Sequence, residues 1–447
     1  VLARVERDGA FANRALGAAL DRVERELSTA DRALATELVY GVLRRRSRLD
    51  RALEAVADRG LGAGIPTEMR IALRVGAYQL LFLDRIPAYA AVNDAVEAAK
   101  RGGGPRFAGL ANALLRRVAE RGEPPLPDPA RDPVGHLVEA CGFPEWLARL
   151  ALAELGIETA LALAAEIGAP APLGLRANRL RTTRAELAAA LAAERPGAAI
   201  SPAPAAPDAL LARGLEAPAR TAAFAEGLVA IEDVGAQVVA ELCGAAPGER
   251  ILDACAGEGG KTAHLAALGG GQARVDAVDR SAAKLDRALA HCRRLGVSGV
   301  RTFVADLTTA LPSDAGPYDR VLLDAPCSGL GVLRRHPEAL LRRSPADLAL
   351  LAAAQRRMLE AVAARVAPGG LLVYAVCTFD RAEGEEVVGS FLGAHPGFRI
   401  ERPGAVPGGV PWDRLIDERG PLPGVVRTWP QRDDADAFFA ARLRRVG

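Results

Sequence analysis

The sequence predicts an α/β protein in three parts: an all-α front, a small α+β segment, and a larger half built on a parallel sheet with helices on both faces. Three observations carry this. From Leu228 onward short aliphatic runs alternate with helical patterns, the signature of strands joined by helical crossovers. Before residue 122 apolar residues recur only at helical spacing. Between the two lies Gly122 to Pro133, GEPPLPDPARDP, whose five prolines remove backbone donors and block a helix.

The front is read first from Leu34, Leu38, Val39, Val42 and Leu43, then from Ile71, Leu73, Val75, Tyr78, Leu81 and Phe82, two helical stripes with no alternating pattern between them. Charge is concentrated here. Residues 1–127 hold 21 basic and 16 acidic side chains, against a net charge of +2 for all 447 residues. The cluster Arg44-Arg45-Arg46, with Arg48 and Arg51, fits either a solvated helix end or a phosphate contact, and composition does not separate the two. After the proline-rich break, a mixed stretch from about Phe143 to Gly227 includes the basic, strand-like piece Leu175 to Arg181 and a second breaker-rich run, Pro196 to Pro207. The expected division is 1–130, 131–230 and 231–447.

Composition excludes several classes. Half the residues are hydrophobic and the charges nearly cancel, which fits neither a disordered tail nor a polycation. The longest charge-free run, Val366 to Phe379, contains Pro368 and two glycines and is shorter than the roughly 20 residues of a membrane span. The first residues mix charge with apolar side chains and lack a signal-peptide core, so a cytoplasmic protein is expected. Six cysteines without a C-x-x-C pair argue against a disulfide framework and against a structural zinc site; no metal is expected.

In the larger half, Ile251 to Thr262 runs from a strand through the glycine-rich turn Cys255-Ala256-Gly257-Glu258-Gly259-Gly260 into a helix near Lys261, where backbone can approach a ligand. A tight turn needs such glycines with no ligand at all. The next strand ends in Asp279, placed to accept ribose hydroxyls of a nucleoside, and the third is followed by Asp306, which can meet an adenine amine or cap a helix. NAD or S-adenosylmethionine fits this frame. The turn is not G-x-G-x-x-G and no hydride-transfer residues stand out, which favours the methyl donor.

The fourth strand delivers Asp324-Ala325-Pro326-Cys327 and the fifth delivers Cys377-Thr378 to the same sheet edge, so an acid and two thiols should converge. Either cysteine alone reads as a small core residue. Two beside a carboxylate read as chemistry on cytosine, whose carbon 5 accepts a methyl group only after a thiolate has added at carbon 6. Asp324 suits a hydrogen bond to ring nitrogen 3, one thiol suits removal of the carbon 5 proton, and Lys261 is a candidate for favouring the thiolate.

At these residues the chain resembles the bacterial small-subunit (16S) ribosomal RNA cytosine-5 methyltransferases of the RsmB type, within the NOL1/NOP2/Sun family. The likeness runs through Asp253 to Thr262, Ala277-Val278-Asp279, Asp306, Leu323 to Gly329, Arg334-Arg335-His336-Pro337 and Tyr374 to Cys377. In the front, Glu37 to Arg44, Gly76 to Leu81, Arg85-Ile86-Pro87 and Asn112 to Arg116 resemble a NusB-like helical domain. Leu175 to Asn178 and Asp233 to Gln237 match the approach to the catalytic core.

The resemblance implies a Rossmann-like class I methyltransferase with an RNA-binding NusB-like front and an RNA-facing middle, acting on 16S rRNA. It implies S-adenosylmethionine held by Cys255 to Lys261, Asp279, Asp306 and Asp324, with Cys377 as nucleophile and Cys327 assisting release. Two departures stand out: the family's Ala-Pro-Gly-Gly-Lys reads Gly257-Glu258-Gly259-Gly260-Lys261, and Thr-Cys-Ser reads Val376-Cys377-Thr378. The competing readings are a noncatalytic RNA-binding assembly factor, a tRNA cytosine-5 methyltransferase, and a methyltransferase for proteins or small molecules. Protein partners are not legible.

Overall fold

The computed structural model describes residues 1–23, 27–58, 60–62, 64–309, 311, 316–404 and 408–446. Contacts divide the chain into two units, Val1–Pro170 with Leu333–Arg343, and Ala171–Val332 with Ser344–Gly447. Three parts, 1–130, 131–230 and 231–447, were expected; the first contact unit continues past the proline-rich break to Pro170. That break is itself tied to the helix Arg46–Glu54, by ion pairing of Arg48 with Glu123 and by a 3.0 Å hydrogen bond from Arg51 to the Pro125 carbonyl. The following helix, Pro133–Glu139, is held to the same element by Ser47 bonding to the Val138 carbonyl at 2.9 Å and Arg51 pairing with Glu139 at 2.8 Å.

The first unit is helical throughout its described residues. The helix Thr29–Arg44 starts at Ser28, which forms a capping box with Asp31. Close packing depends on missing side chains: a Cβ at Gly41 would lie 2.1 Å from the Tyr78 ring. The arginines of the cationic cluster have ring and carboxylate neighbours within the helical unit. Arg45 and Arg48 lie 4.4 and 4.8 Å from the Phe82 ring centroid, Arg44 lies 5.3 Å from that of Tyr40, and Arg46 reaches Glu6 at 3.9 Å.

The segment Leu333–Arg343 belongs to this helical unit although it lies between strands of the other. Glu338, 1 % exposed, accepts from the Ala12 N–H at 3.1 Å, and the Phe11 and His336 rings meet edge to face at 6.2 Å.

The second unit holds two sheets. The smaller is antiparallel, in the order β2-β3-β1-β4, from β1 (Leu173–Ala177), β2 (Ala199–Pro202), β3 (Ala209–Arg213) and β4 (Val229–Ile231). With the helix Arg184–Glu194 it forms the expected α+β segment. The basic piece beginning in β1 is neutralised locally. Arg176 pairs with Glu232 at 2.6 Å, and Arg179 pairs with Asp208 at 2.7 Å and Glu241 at 2.5 Å.

The larger sheet contains β5 (Arg250–Asp253), β6 (Arg274–Asp279), β7 (Val300–Val304), β8 (Tyr318–Asp324), β9 (Val366–Val376), β10 (Phe398–Ile400), β11 (Ile416–Asp417), β12 (Val425–Thr428) and β13 (Phe438–Arg445). Strands β7-β6-β5-β8-β9 are parallel, and β13, β12 and β11 extend the sheet antiparallel from β9, with β10 on β13. The antiparallel extension was not foreseen. Its strands carry Arg427, Arg442 and Arg444, which interrupt the aliphatic pattern that marks buried strands.

Both faces of the central strands are apolar, as a covered parallel sheet requires. Ile251, Leu322, Val373 and Ala375 pack on one side with the helices Val234–Cys243 and Gly260–Leu268. Leu252, Val321, Leu323, Leu372, Tyr374 and Val376 pack on the other with Pro345–Ala363 and Glu385–Ala394. The order in which strands are added reverses at β5, which has β6 on one side and β8 on the other, all parallel, and this opens a crevice at the carboxyl ends of the strands.

Candidate active site

The glycine turn follows β5 at that crevice. Asp253 ends the strand fully buried and accepts from the Thr262 hydroxyl at 2.6 Å, tying strand to helix. Burial pushes its carboxyl up to about 6, against the opposing pull of Thr262 and Lys261. Gly259 has φ +84°, and a Cβ there would lie 2.7 Å from that of Ala288, so the turn cannot carry a side chain at this point. Gly257, at φ +56°, faces open space: a Cβ there would meet nothing within 4 Å. This bare backbone is a cradle of the kind an S-adenosylmethionine amino-acid moiety needs.

Asp279, at the end of β6, accepts from the Gly257 N–H at 3.2 Å and the Ser281 N–H at 2.8 Å, and so braces the cradle it was expected to complete. Asp306 is exposed and accepts at Oδ1 from both the N–H and the hydroxyl of Thr308, an Asx turn that holds its carboxyl below the usual carboxylate range. Glu258 is half exposed and lies 3.1 Å from Arg287, so its charge is neutralised at the surface. Ala256 is buried, and Cys255 is held as a neutral thiol by burial and the charges of Asp324, Asp253 and Asp279.

The reactive groups meet at the tips of β8 and β9. The Cys327 and Cys377 sulfurs are 3.2 Å apart, close enough for a hydrogen bond between thiol and thiolate. Asp324 accepts from the Lys261 ammonium at 2.7 Å. Burial by itself lowers the Lys261 pKa, but the charge and hydrogen bond of Asp324, with smaller effects from Glu232 and Cys377, more than offset it; the net shift is upward and the ammonium is held. Cys327 is raised well above its ordinary value by its hydrogen bond with Cys377, then by burial and the charges of Cys377, Glu383 and Asp324. The loop after β8 is pinned to β9 by Ala325 N–H to the Ala375 carbonyl and Gly331 N–H to the Cys377 carbonyl, each 2.9 Å. Gly331 must be glycine, because a Cβ would meet the Ala437 carbonyl oxygen at 2.0 Å.

The second sequence departure is also accommodated. Val376 is buried in the apolar cluster, and the Thr378 hydroxyl accepts from Ser328 at 3.1 Å and from the Asp380 N–H at 3.2 Å.

Four side chains beside the site went unnoticed in the sequence. Glu232 contributes to the shift of Lys261 and pairs with Arg176; Gln355 and Glu383 bond to the main chain on either side of Cys327. No local spacing announces them. The fourth, His264, lies on the Lys261 helix, 1 % exposed, with its ring nitrogens 3.7 Å from Glu232 and from Glu241. Asp208, Glu241 and His264 place ligand atoms within 4.8 Å of one another, but the Arg179 guanidinium already bonds both carboxylates.

His264 has a consequence for stability. Burial first, and then Arg176, lower its pKa to about 3 against the opposing effect of Glu232. The folded state therefore binds fewer protons than the unfolded state at pH values between that value and 6.5. Stability is fully present above pH 6.5 and is lost as pH falls, by about 2 kcal/mol near pH 5. Urea unfolding at pH 7.5 and 5 should show this loss in the parent chain and a smaller one in His264→Gln; equal losses would show that the slope arises elsewhere.

The strand order, the glycine cradle and the acidic strand tips define a class I S-adenosylmethionine-dependent methyltransferase. The family model for 16S rRNA methyltransferase RsmB/F matches residues 242–444, that for the NusB family matches 1–120, and the RsmF/B-like ferredoxin-like domain matches 143–216. The chain is 35 % identical to a probable ribosomal RNA small subunit methyltransferase B of Synechocystis sp., over 100 % of this chain and 98 % of the relative. It is 36 % identical to ribosomal RNA small subunit methyltransferase B of Pseudomonas putida, covering 89 % and 88 %. The crystal structure of PH0851 superposes with a TM-score of 0.78 at 25 % identity, over 95 % of this chain and 92 % of that one. The chain belongs to the RsmB/F family of 16S rRNA methyltransferases, and it is a methyl-transferring enzyme that uses S-adenosylmethionine and acts on RNA.

Proposed function

We propose that this enzyme methylates carbon 5 of a cytosine in 16S rRNA through a transient bond between Cys377 and the base. The observation that carries the reading is the pair of sulfurs 3.2 Å apart beside the Lys261–Asp324 ion pair. The target base leaves its stack to reach the crevice. The Cys377 thiolate adds to carbon 6, and the electron pair of the 5,6 double bond moves to carbon 5. A proton held between Asp324 and ring nitrogen 3, with Lys261 bonded to the other carboxyl oxygen, neutralises the negative charge that builds at that nitrogen during addition. Bound S-adenosylmethionine supplies the electrophilic methyl group. Gly257 to Gly260, Asp279 and Asp306 would hold the donor.

Release follows from the same contact. The leading cause that holds the Cys327 proton is the bond to Cys377. Once the Cys377 sulfur is bonded to carbon it is a neutral thioether and only a weak acceptor, so the bond that held the Cys327 proton weakens, and Cys327 gives that proton to solvent at the step that needs a base. The Cys327 thiolate then takes the carbon 5 proton, the 5,6 double bond re-forms, and Cys377 leaves with its electron pair. Four other thiols are unsuited to either role: Cys141, Cys243 and Cys292 are pushed up to about 11, 12 and 11 by burial, and Cys255 is shifted the same way.

The names of the relatives support a ribosomal small-subunit target, and a cytoplasmic place of action is proposed with it. Incubation with methyl-labelled donor and either 16S rRNA or bulk tRNA tests this. Label at carbon 5 of one 16S cytosine is the expected result. Label in tRNA alone, or at another atom of the base, would overturn it.

A further inference from the structure

The main chain around Cys327 is clamped by side chains from elsewhere in the catalytic unit. Glu383 is fully buried, and its Oε2 accepts from the Ser328 N–H at 2.9 Å and from the Gln355 amide at 2.8 Å. That Gln355 amide also donates to the Pro326 carbonyl at 2.9 Å. The peptide groups on both sides of Cys327 therefore end on one carboxyl–amide pair. The pair is itself fixed, since the buried Tyr374 hydroxyl donates to the Glu383 carbonyl at 2.6 Å. An apolar side chain would fill the same space without the cost of burying a carboxyl group. It would, however, leave the Ser328 N–H without this acceptor and free the loop that sets the distance between the two sulfurs.

We propose that Glu383, with Gln355 as its second arm, is a positioning residue for the release step, holding Cys327 where its sulfur meets both Cys377 and the carbon 5 proton. This rests on the covalent reading above. Glu383 exchanges no proton: Cys327 takes the carbon 5 proton, the C–H pair restores the 5,6 double bond, and the C–S pair returns to Cys377. Methyl transfer precedes this step, so loosening Cys327 slows the exit from the adduct more than its formation.

The test compares full-length variants with labelled 16S rRNA and donor, reading turnover and the gel-stable protein–RNA adduct together. Glu383→Ala should lower turnover by roughly 10- to 100-fold, raise the steady-state adduct toward the Cys327→Ala level, and leave the donor KM within about twofold. Glu383→Gln keeps an acceptor oxygen and should recover turnover to within about threefold of the parent. Turnover and adduct falling together in Glu383→Ala, or turnover near that of the parent, would overturn the inference. If Glu383→Ala does not fold, Gln355→Leu cuts the other arm, and an unchanged ratio of adduct to turnover in that variant counts against it equally. Cys327→Ala separates the two levels. With no adduct there, the covalent reading fails; with adduct there and none in the clamp variants, only the positioning role fails.

Discussion

Cys377→Ala is expected to form no RNA adduct and to lose methyl transfer by on the order of 10⁴-fold or more, whereas Cys327→Ala should accumulate an adduct that survives denaturation. The two sulfurs are within 3.2 Å of each other, so proximity alone does not assign the roles. Their surroundings differ. Cys327 is the thiol whose proton is held, by the bond to Cys377 and by burial, and a held proton suits the partner that acts second. Cys377 is near enough to Lys261 to raise the pKa of that ammonium, so a cation stands beside the sulfur proposed to attack. Denaturing gels of both variants with labelled rRNA settle the order, and an adduct in Cys377→Ala but not in Cys327→Ala would exchange the two roles.

Asp324→Asn is expected to abolish measurable turnover, a loss of at least about 10³-fold, with donor affinity changed little. The substitution keeps the shape and one oxygen, so the loop after β8 should stay in place through its bonds to β9. What it removes is the countercharge 2.7 Å from Lys261. Lys261 is 14 % exposed, and without its partner a buried ammonium is free to turn toward the Cys377 sulfur, while nitrogen 3 loses the carboxyl group that can share a proton with it. The proposed donor cradle at Gly257 is braced by Asp279, a contact that does not pass through Asp324. Calorimetric titration of the donor and single-turnover kinetics separate the two effects. Near-parent turnover would remove Asp324 from the chemistry, and lost donor binding would move it to the cofactor site.

The two sequence departures resolve in different ways. Glu258 is neutralised by Arg287 at the surface, a pairing with a residue 29 positions away that no local reading contains. At the other, Val376 adds to a buried apolar cluster while the hydroxyl of Thr378 supplies the hydrogen-bonding group beside Ser328. Neither removes a side chain on which the proposed chemistry depends.

By itself the sequence determined the parallel core and the edge at which chemistry gathers. Aliphatic runs such as Leu371 to Val376 are strands because both faces are covered, and residues just past a strand end, Asp279, Asp324 and Cys377, must emerge at one edge of a parallel sheet. These are consequences of backbone period and direction, which local sequence encodes. Tertiary structure alone decided which charges find each other. The sequence shows Arg44 to Arg51 and Arg176 to Arg179 only as runs of positive charge, and the fold brings Phe82, Glu123, Glu139, Glu232 and Glu241 to them. It also decided that Leu333–Arg343 belongs with the helices, that β13 extends the sheet beside β9, and that Glu383 and Gln355 grip the chain around Cys327. Each depends on contact between residues tens to hundreds of positions apart, and a side chain's partner is fixed by where the folded backbone brings it, not by its neighbours in the chain.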